Sequence, residues 1–208
     1  MAEIEHPQIY LITPPAFELS SFGKSLSAVL DAAPVACVRL ALASHDEDTI
    51  SRAADMMREI THARDIALVI DTHVVLAERL GLDGVHLPGG SHGVRAARKT
   101  LGEDAIVGVF SGTSRHDGMN AGEAGADYVC FGPVGDNALG DGSRAEAELF
   151  QWWSEMIEVP VVAEGALDAD TIRALAPVSD FFGIGDEIWD SEDPAATLKA
   201  FHAAMTGG

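Results

Sequence analysis

The stretch GEAGADYVCFG, residues 122–132, runs from a helix end through a glycine-x-aspartate turn into a strand, and GLDGVHL, residues 81–87, repeats that outline. A turn of this kind recurring ahead of strands suits a closed ring of βα units. The rest of the chain follows the same alternation of short β-rich runs with longer segments of helical period, as expected around a parallel sheet. Eight strands are predicted: 9–13, 36–42, 67–71, 84–87, 106–110, 128–132, 160–165 and 181–185. Several are nearly continuous apolar runs, the pattern of strands covered on both faces. Helix starts are predicted at Ser44-His45-Asp46, at Ser91, at Ser143 and at Asp168, His73 opens a third helix, and a last helix covers about 194–205. Eight strand–helix units in 208 residues predict an α/β fold, a (β/α)8 TIM barrel forming a single domain over residues 1–208. A doubly wound open sheet shares the local pattern and is the alternative.

Composition narrows the function. There are 33 acidic residues against 13 basic ones, a formal charge of −20, which repels nucleic acid and anionic membrane alike. A small-molecule substrate is the expected partner, and a homo-oligomer is compatible with the sequence. Cys37 and Cys130 lie in apolar runs without CxxC spacing, so they read as small core residues in a reducing compartment. The opening MAEIEHPQIYLIT has no cationic segment ahead of a long apolar one, and no uncharged apolar run approaches about 18 residues. A cytoplasmic protein is expected.

In a barrel, chemistry sits where strands end at the C-terminal face. Those ends carry Arg39 and Ala41, then Asp71, Thr72 and His73, Pro88 to Ser91, Phe110 to Gly112, Pro133 to Gly142, Glu164 with Gly165, and Gly185 to Glu187. The three lysines, Lys24, Lys99 and Lys199, all fall on predicted helices, which excludes a Schiff-base mechanism at the rim. Arg39 is the only basic residue on a strand; Arg115 and Arg144 could reach over from loops or helix starts. Asp71, Glu164, Asp186 and Glu187, with Asp136 or Asp141, could form an oxygen-rich metal site, or a solvated acidic rim. His73 and His86 are candidates for acid/base work, with an interior hydrogen-bonded role the alternative for His86. Trp152 and Trp153 read as packing residues on an amphipathic helix.

YLIT (10–13), the arginine in CVRLA, GLDGVHL with its following glycine pair, IVGVF, GADYVCFGPV, VPVVAEGAL and the closing SEDPAATLKAF, in this order, resemble the thiamine-phosphate synthase family, including its thiazole tautomerase branch. The resemblance covers nearly the whole chain and implies a (β/α)8 barrel. It implies a reaction that joins hydroxymethylpyrimidine diphosphate to thiazole phosphate with release of diphosphate, helped by magnesium and without an organic cofactor. Carried onto this chain, it implies catalytic roles for Arg39, His86 and Thr72, and substrate binding by Arg39, Gly89, Gly90, Ser111, Gly132, Gly165 and Gly185. Magnesium falls to Asp71 and Ser91.

The chain departs from the family pattern at most of these strand ends. A glutamine and a lysine flanking the strand-two arginine become Cys37 and Ala41; an asparagine-aspartate pair becomes Asp71-Thr72; and the tautomerase histidine falls on Gly112. Threonines and a lysine after strand six become Asp136, Asn137 and Asp141, in what reads as a lid without its cationic anchor. The corner after strands seven and eight holds Glu164, Asp186 and Glu187. Unit charges about 4 Å apart interact by roughly 4 kcal/mol at an effective dielectric near 20, so these carboxylates predict weak ordinary synthase activity. The alternatives are a barrel that binds a thiamine-related ligand without turnover, and one repurposed for another small molecule or a carboxylate-bound metal.

Overall fold

Asp83, Asp127 and Asp180 each immediately precede a strand, and each uses its carboxylate on the strand before. They accept hydrogen bonds from the amides of Leu68 at 2.7 Å, Val107 at 2.7 Å and Val161 at 2.8 Å. An amide at the lower edge of a parallel sheet has no ladder partner, so an aspartate at this position satisfies it and pins neighbouring strands together. The glycine-x-aspartate repetition in the sequence is this clamp. Its third member, in VSDFFGIG, lacks the glycine.

The computed structural model describes residues 6–207; the first five residues of the MAEIEHPQIYLIT stretch, and residue 208, lie outside it. Eight parallel strands, β1 (Gln8–Ile12), β2 (Val35–Leu40), β3 (Ala67–Asp71), β4 (Gly84–Leu87), β5 (Ile106–Phe110), β6 (Tyr128–Phe131), β7 (Val161–Glu164) and β8 (Phe181–Ile184), pair in chain order. The sheet closes because β1 pairs with both β2 and β8. This closure excludes the doubly wound sheet. Around it lie α1 (Leu19–Leu30), α2 (Glu47–His62), α3 (Val74–Leu80), α4 (Val94–Leu101), α5 (Arg115–Glu123), α6 (Ala147–Met156), α7 (Ala169–Leu175), the short α8 (Asp186–Trp189) and α9 (Pro194–Thr206). No described helix is long and apolar enough to cross a membrane.

Asp46 and Asp168 cap α2 and α7 by accepting from the Thr49 and Thr171 amides, as the start signals predict. Ser91 and Ser143 do not cap. Gly93, at φ 87°, turns the chain into α4, and α6 begins only at Ala147, after Glu146. Neither α1 nor α5 is among the predicted starts; α5 is capped by Ser114, which accepts from the Asp117 amide.

Strand alternation divides the interior into two layers. Val38 and Leu40 of β2, and Val161 and Ala163 of β7, face the helices and join the large core beneath them. Cys37 and Val162 face the barrel axis with Tyr10, Val69, Tyr128 and Cys130. Trp153 of α6 is buried edge-on against Phe131 at 4.9 Å and donates its indole N–H to Val159 O, which confirms a packing role.

Inside the barrel, glycines make room for larger neighbours. A Cβ on Gly108 would lie 1.8 Å from the Tyr128 ring, and one on Gly183 would lie 2.8 Å from the Cβ of Glu164. Gly108→Ala is therefore expected to displace the Tyr128 ring and destabilise the fold by about 1–3 kcal/mol. Urea denaturation checks this; an unchanged midpoint would show that the barrel core repacks freely.

Candidate active site

The parity that points Cys37 inward also points Arg39 inward, two residues nearer the C-terminal mouth. There Arg39 is 7% exposed. Its Nη1 lies 3.1 Å from Glu164 Oε2 on β7, and its Nε lies 3.4 Å from Asp71 Oδ1 at the end of β3. Nη1 also lies 3.0 Å from His86 Nε2 on β4. A guanidinium only donates, so Nε2 must accept, which places the imidazole proton on Nδ1. Nδ1–H then donates to the Tyr128 hydroxyl at 3.1 Å, and that hydroxyl turns its own proton to Tyr10. Four side chains from β2, β4, β6 and β1 form one chain of hydrogen bonds across the barrel.

Burial sets the protonation of this network. It pushes His86 well down, helped by the Arg39 charge, so the imidazole is neutral. Burial pushes Tyr10 and Tyr128 well up, and Cys37 up to about 12. His86 is 2% exposed with both ring nitrogens engaged, which is the interior role. Asp71 and Glu164 are both raised, burial being the larger cause and Arg39 opposing it. One cation cannot neutralise both the buried Glu164 carboxylate and the half-buried one of Asp71. Glu164 is 1% exposed, and neither of its oxygens accepts a hydrogen bond within the protein.

Above Arg39 opens a cavity of about 360 Å³ lined by Ile12, Thr13, Arg39, Leu139, Glu164 and Glu187, among others. Gly165 and Gly185 also line it, so three of the expected substrate-binding residues meet here. Gly89, Gly90, Ser111 and Gly132 do not line it. Thr72 is exposed at φ 60°, a left-handed turn that sends the chain outward to α3, and it borders a separate depression beside His73 and Arg79. The loop after β6 lies over the end of β7: the Val134 and Gly135 amides donate to Gly165 O, and Asn137 to Leu139 enter the cavity wall.

The other cations stay away. Arg115 stacks over Trp152 at 4.7 Å and donates to Glu148 O, while Arg144 faces Glu146. Among the described residues, Arg39 is thus the only basic side chain lining the cavity.

The expected metal ligands are not gathered. Ser91 opens into a hollow between α4 and α5, and the inner oxygen of Asp71 faces the guanidinium. Glu187 is engaged by backbone amides, so the carboxylates do not form the oxygen-rich cluster either. Among the described residues, the one group of three His, Cys, Asp or Glu ligand atoms within 4.8 Å is His86, Cys130 and Glu164. Magnesium favours oxygen ligands in octahedral array. An imidazole, a thiol held protonated by burial and a carboxylate beside Arg39 do not fit it.

A family model described as thiamine monophosphate synthase matches residues 9–179. The thiamine-phosphate synthase of Rhodospirillum centenum is 42% identical over 205 residues, covering 96% of this chain and 98% of that protein. The chain belongs to the thiamine monophosphate synthase family. The thiamine-phosphate synthase of Erythrobacter litoralis is 37% identical, with 97% of each chain covered. Among solved structures, thiamine phosphate pyrophosphorylase from Pyrococcus furiosus superposes with a TM-score of 0.83 over 96% of both chains, at 20% identity, which speaks for the shared fold.

In this thiamine monophosphate synthase barrel, sequence reasoning singled out Arg39 but missed Tyr10 and Tyr128. The available signal was parity: Tyr10 pairs with Cys37 in the β1–β2 ladder, and Tyr128 stands two residues before Cys130.

Arg39→Met leaves Glu164 buried without its counter-charge and is expected to destabilise by about 3–5 kcal/mol at neutral pH, read by urea denaturation; a loss under about 1 kcal/mol would mean that the pair adds little. A second expectation concerns pH. Glu164 in the fold holds its proton above the ordinary value of 4.5, whereas the unfolded chain loses it there. The folded state binds more protons across that window, so stability falls as pH rises through it. Wild type should therefore lose stability relative to Glu164→Gln as pH rises from about 4.5 toward neutrality. Parallel curves for the two proteins would contradict this.

Proposed function

We propose that this barrel is a thiamine-phosphate-synthase-type transferase of thiamine biosynthesis, moving the hydroxymethylpyrimidine group from its diphosphate to thiazole phosphate, with low turnover. The thiazole nitrogen attacks the exocyclic methylene, the carbon–oxygen bond breaks, and diphosphate leaves with the bonding pair. The observation that carries the reading is kinship along 96% of the chain with a protein named for this activity. The cavity at the strand ends supports it, being where barrels keep their chemistry.

The residues account for the low rate. Stabilising a departing diphosphate takes preorganised donors and cations, and losing one such donor typically lowers turnover by about 10²–10³. Arg39 faces two carboxylates, and none of the three lysines lines the cavity. No step is routed through magnesium, because Asp71 and Ser91 do not assemble a site for it. In this reading the partners are small molecules and the compartment is the cytoplasm.

Glu164 and Glu187 favour a second reading, a barrel that binds a thiamine-related ligand with little or no turnover. Incubation with both phosphorylated precursors and magnesium separates the two. Diphosphate release above background, about a hundredfold below that of an authentic synthase, is expected. Release indistinguishable from a protein-free control rejects the transferase and leaves the binding reading.

A further inference from the structure

Two of the three guanidinium nitrogens of Arg39 are committed inside the barrel. Nε faces Asp71 Oδ1 at 3.4 Å, and Nη1 lies 3.1 Å from Glu164 Oε2 and 3.0 Å from His86 Nε2. Nη2 has no partner among the described residues, and it is the nitrogen open to the cavity that Arg39 lines. What an anion in the cavity meets is therefore set by what holds Nη1. That hold needs a lone pair on His86 Nε2, because a guanidinium nitrogen only donates.

A neutral imidazole carries its proton on either nitrogen, and this interior offers an acceptor for each tautomer. One is the Tyr128 hydroxyl, 3.1 Å from Nδ1. The other is the Glu164 carboxylate: Nη1 touches both it and Nε2, and a His86 ring nitrogen and a Glu164 oxygen lie within 4.8 Å of each other. Neither Glu164 oxygen accepts a hydrogen bond. A proton on Nε2 would face the Nη1 donor at 3.0 Å and claim the same carboxylate, so the guanidinium would have to turn. Tyr128 decides between the two states. Its own proton goes to Tyr10, which leaves a lone pair for the imidazole and nothing to donate to it. His86 and Tyr128 meet because Gly108 is the register neighbour of both and has no side chain to part them.

We propose that Tyr128 is a positioning residue: its hydroxyl selects the Nδ1–H tautomer of His86, which anchors Arg39 Nη1 and leaves Nη2 presented to a diphosphate in the cavity. The identity of that anion rests on the transfer reaction proposed above. Tyr128 is buried and does not line the cavity, so it acts through His86 and Arg39. No covalent bond to a substrate is involved; one proton is held on one ring nitrogen.

Tyr128→Phe keeps the ring over Gly108 and removes only the hydroxyl. Two measurements on the whole chain read its effect. Nitrogen NMR of histidine-labelled protein, with His86 assigned by the signals lost in His86→Gln, shows which ring nitrogen is protonated. Calorimetric titration with inorganic diphosphate, without added metal, reads the Arg39 contact. Wild type should carry the proton on Nδ1 and bind diphosphate. Tyr128→Phe should move the proton to Nε2 and weaken diphosphate binding about tenfold, the lower end of what a hydrogen bond to a charged group is worth. A hydroxyl with a merely structural role would lower stability without moving the proton. A wild-type proton on Nε2 overturns the proposal whether or not the variant folds. So does a proton that stays on Nδ1 in Tyr128→Phe, an unchanged diphosphate affinity, or no diphosphate binding by wild type. Turnover with the two precursors is scored separately. A chain that meets both expectations yet releases no diphosphate from them keeps this role for Tyr128 and rejects the transferase, and a working synthase indifferent to Tyr128→Phe does the reverse.

Discussion

The upper half of the barrel depends on one buried guanidinium. Taking a full charge out of water costs several kcal/mol, and the cost is offset only if partners converge on it. Arg39 obtains those partners from four strands: Glu164, Asp71 and the His86 lone pair, with the Tyr10 ring 5.8 Å away. Each constrains the next. His86 must be neutral and protonated on Nδ1, which orients Tyr128, whose ring needs the space over Gly108; Glu164 needs the space over Gly183. The excess of two carboxylates over one cation then sets the sign of the cavity above.

Carboxylates accepting backbone amides recur at both ends of the molecule. Asp83, Asp127 and Asp180 close the lower edge of the sheet, Asp46, Asp168 and Asp193 start helices, and Glu187 joins the loops at the mouth. A net charge of −20 works against compaction through self-repulsion. Part of that charge is used as internal capping, where a hydrogen-bond donor favours the ionised form: Asp141 and Asp168 are held below the usual carboxylate range first by backbone amides, and Asp46 first by the Thr49 hydroxyl and then by the Thr49 amide. The acidic composition is therefore partly a structural device.

The barrel was legible because its signals are local. Apolar runs of four to six residues bounded by turns mark all eight strands, and the observed ends differ from the expected ones by a residue or two, within the usual play of strand termini. Helix starts were legible where a carboxylate caps, at Asp46 and Asp168, and misread at Ser91 and Ser143, which lie ahead of helices that start without a side-chain cap. The site was legible only in part. Arg39 stood out as the sole strand cation, but the Tyr10–Tyr128 contact joins residues 118 apart and exists only because the sheet closes. Thr72 and Ser91, placed by resemblance, turn away because the backbone after β3 and β4 bends outward, and linear position does not encode that bend.

Kinship and site chemistry diverge here for a reason rooted in strand parity. Outward residues such as Val38, Leu40, Val161 and Ala163 pack under the helices and define the barrel, whereas inward residues near the mouths of β1, β2, β7 and β8, Ile12, Arg39, Glu164 and Gly183, line the cavity. Substitution in the second set can reverse the charge of the rim without disturbing the first. Glu164 is such a residue. It lies inward at the top of β7, beside Gly183, and its charge answers Arg39 rather than a ligand. For the same reason Arg39 on its strand is not by itself a mark of anion binding. Its partners are already within the protein, and an incoming phosphate would have to compete with Glu164 and Asp71 for a cation that both hold.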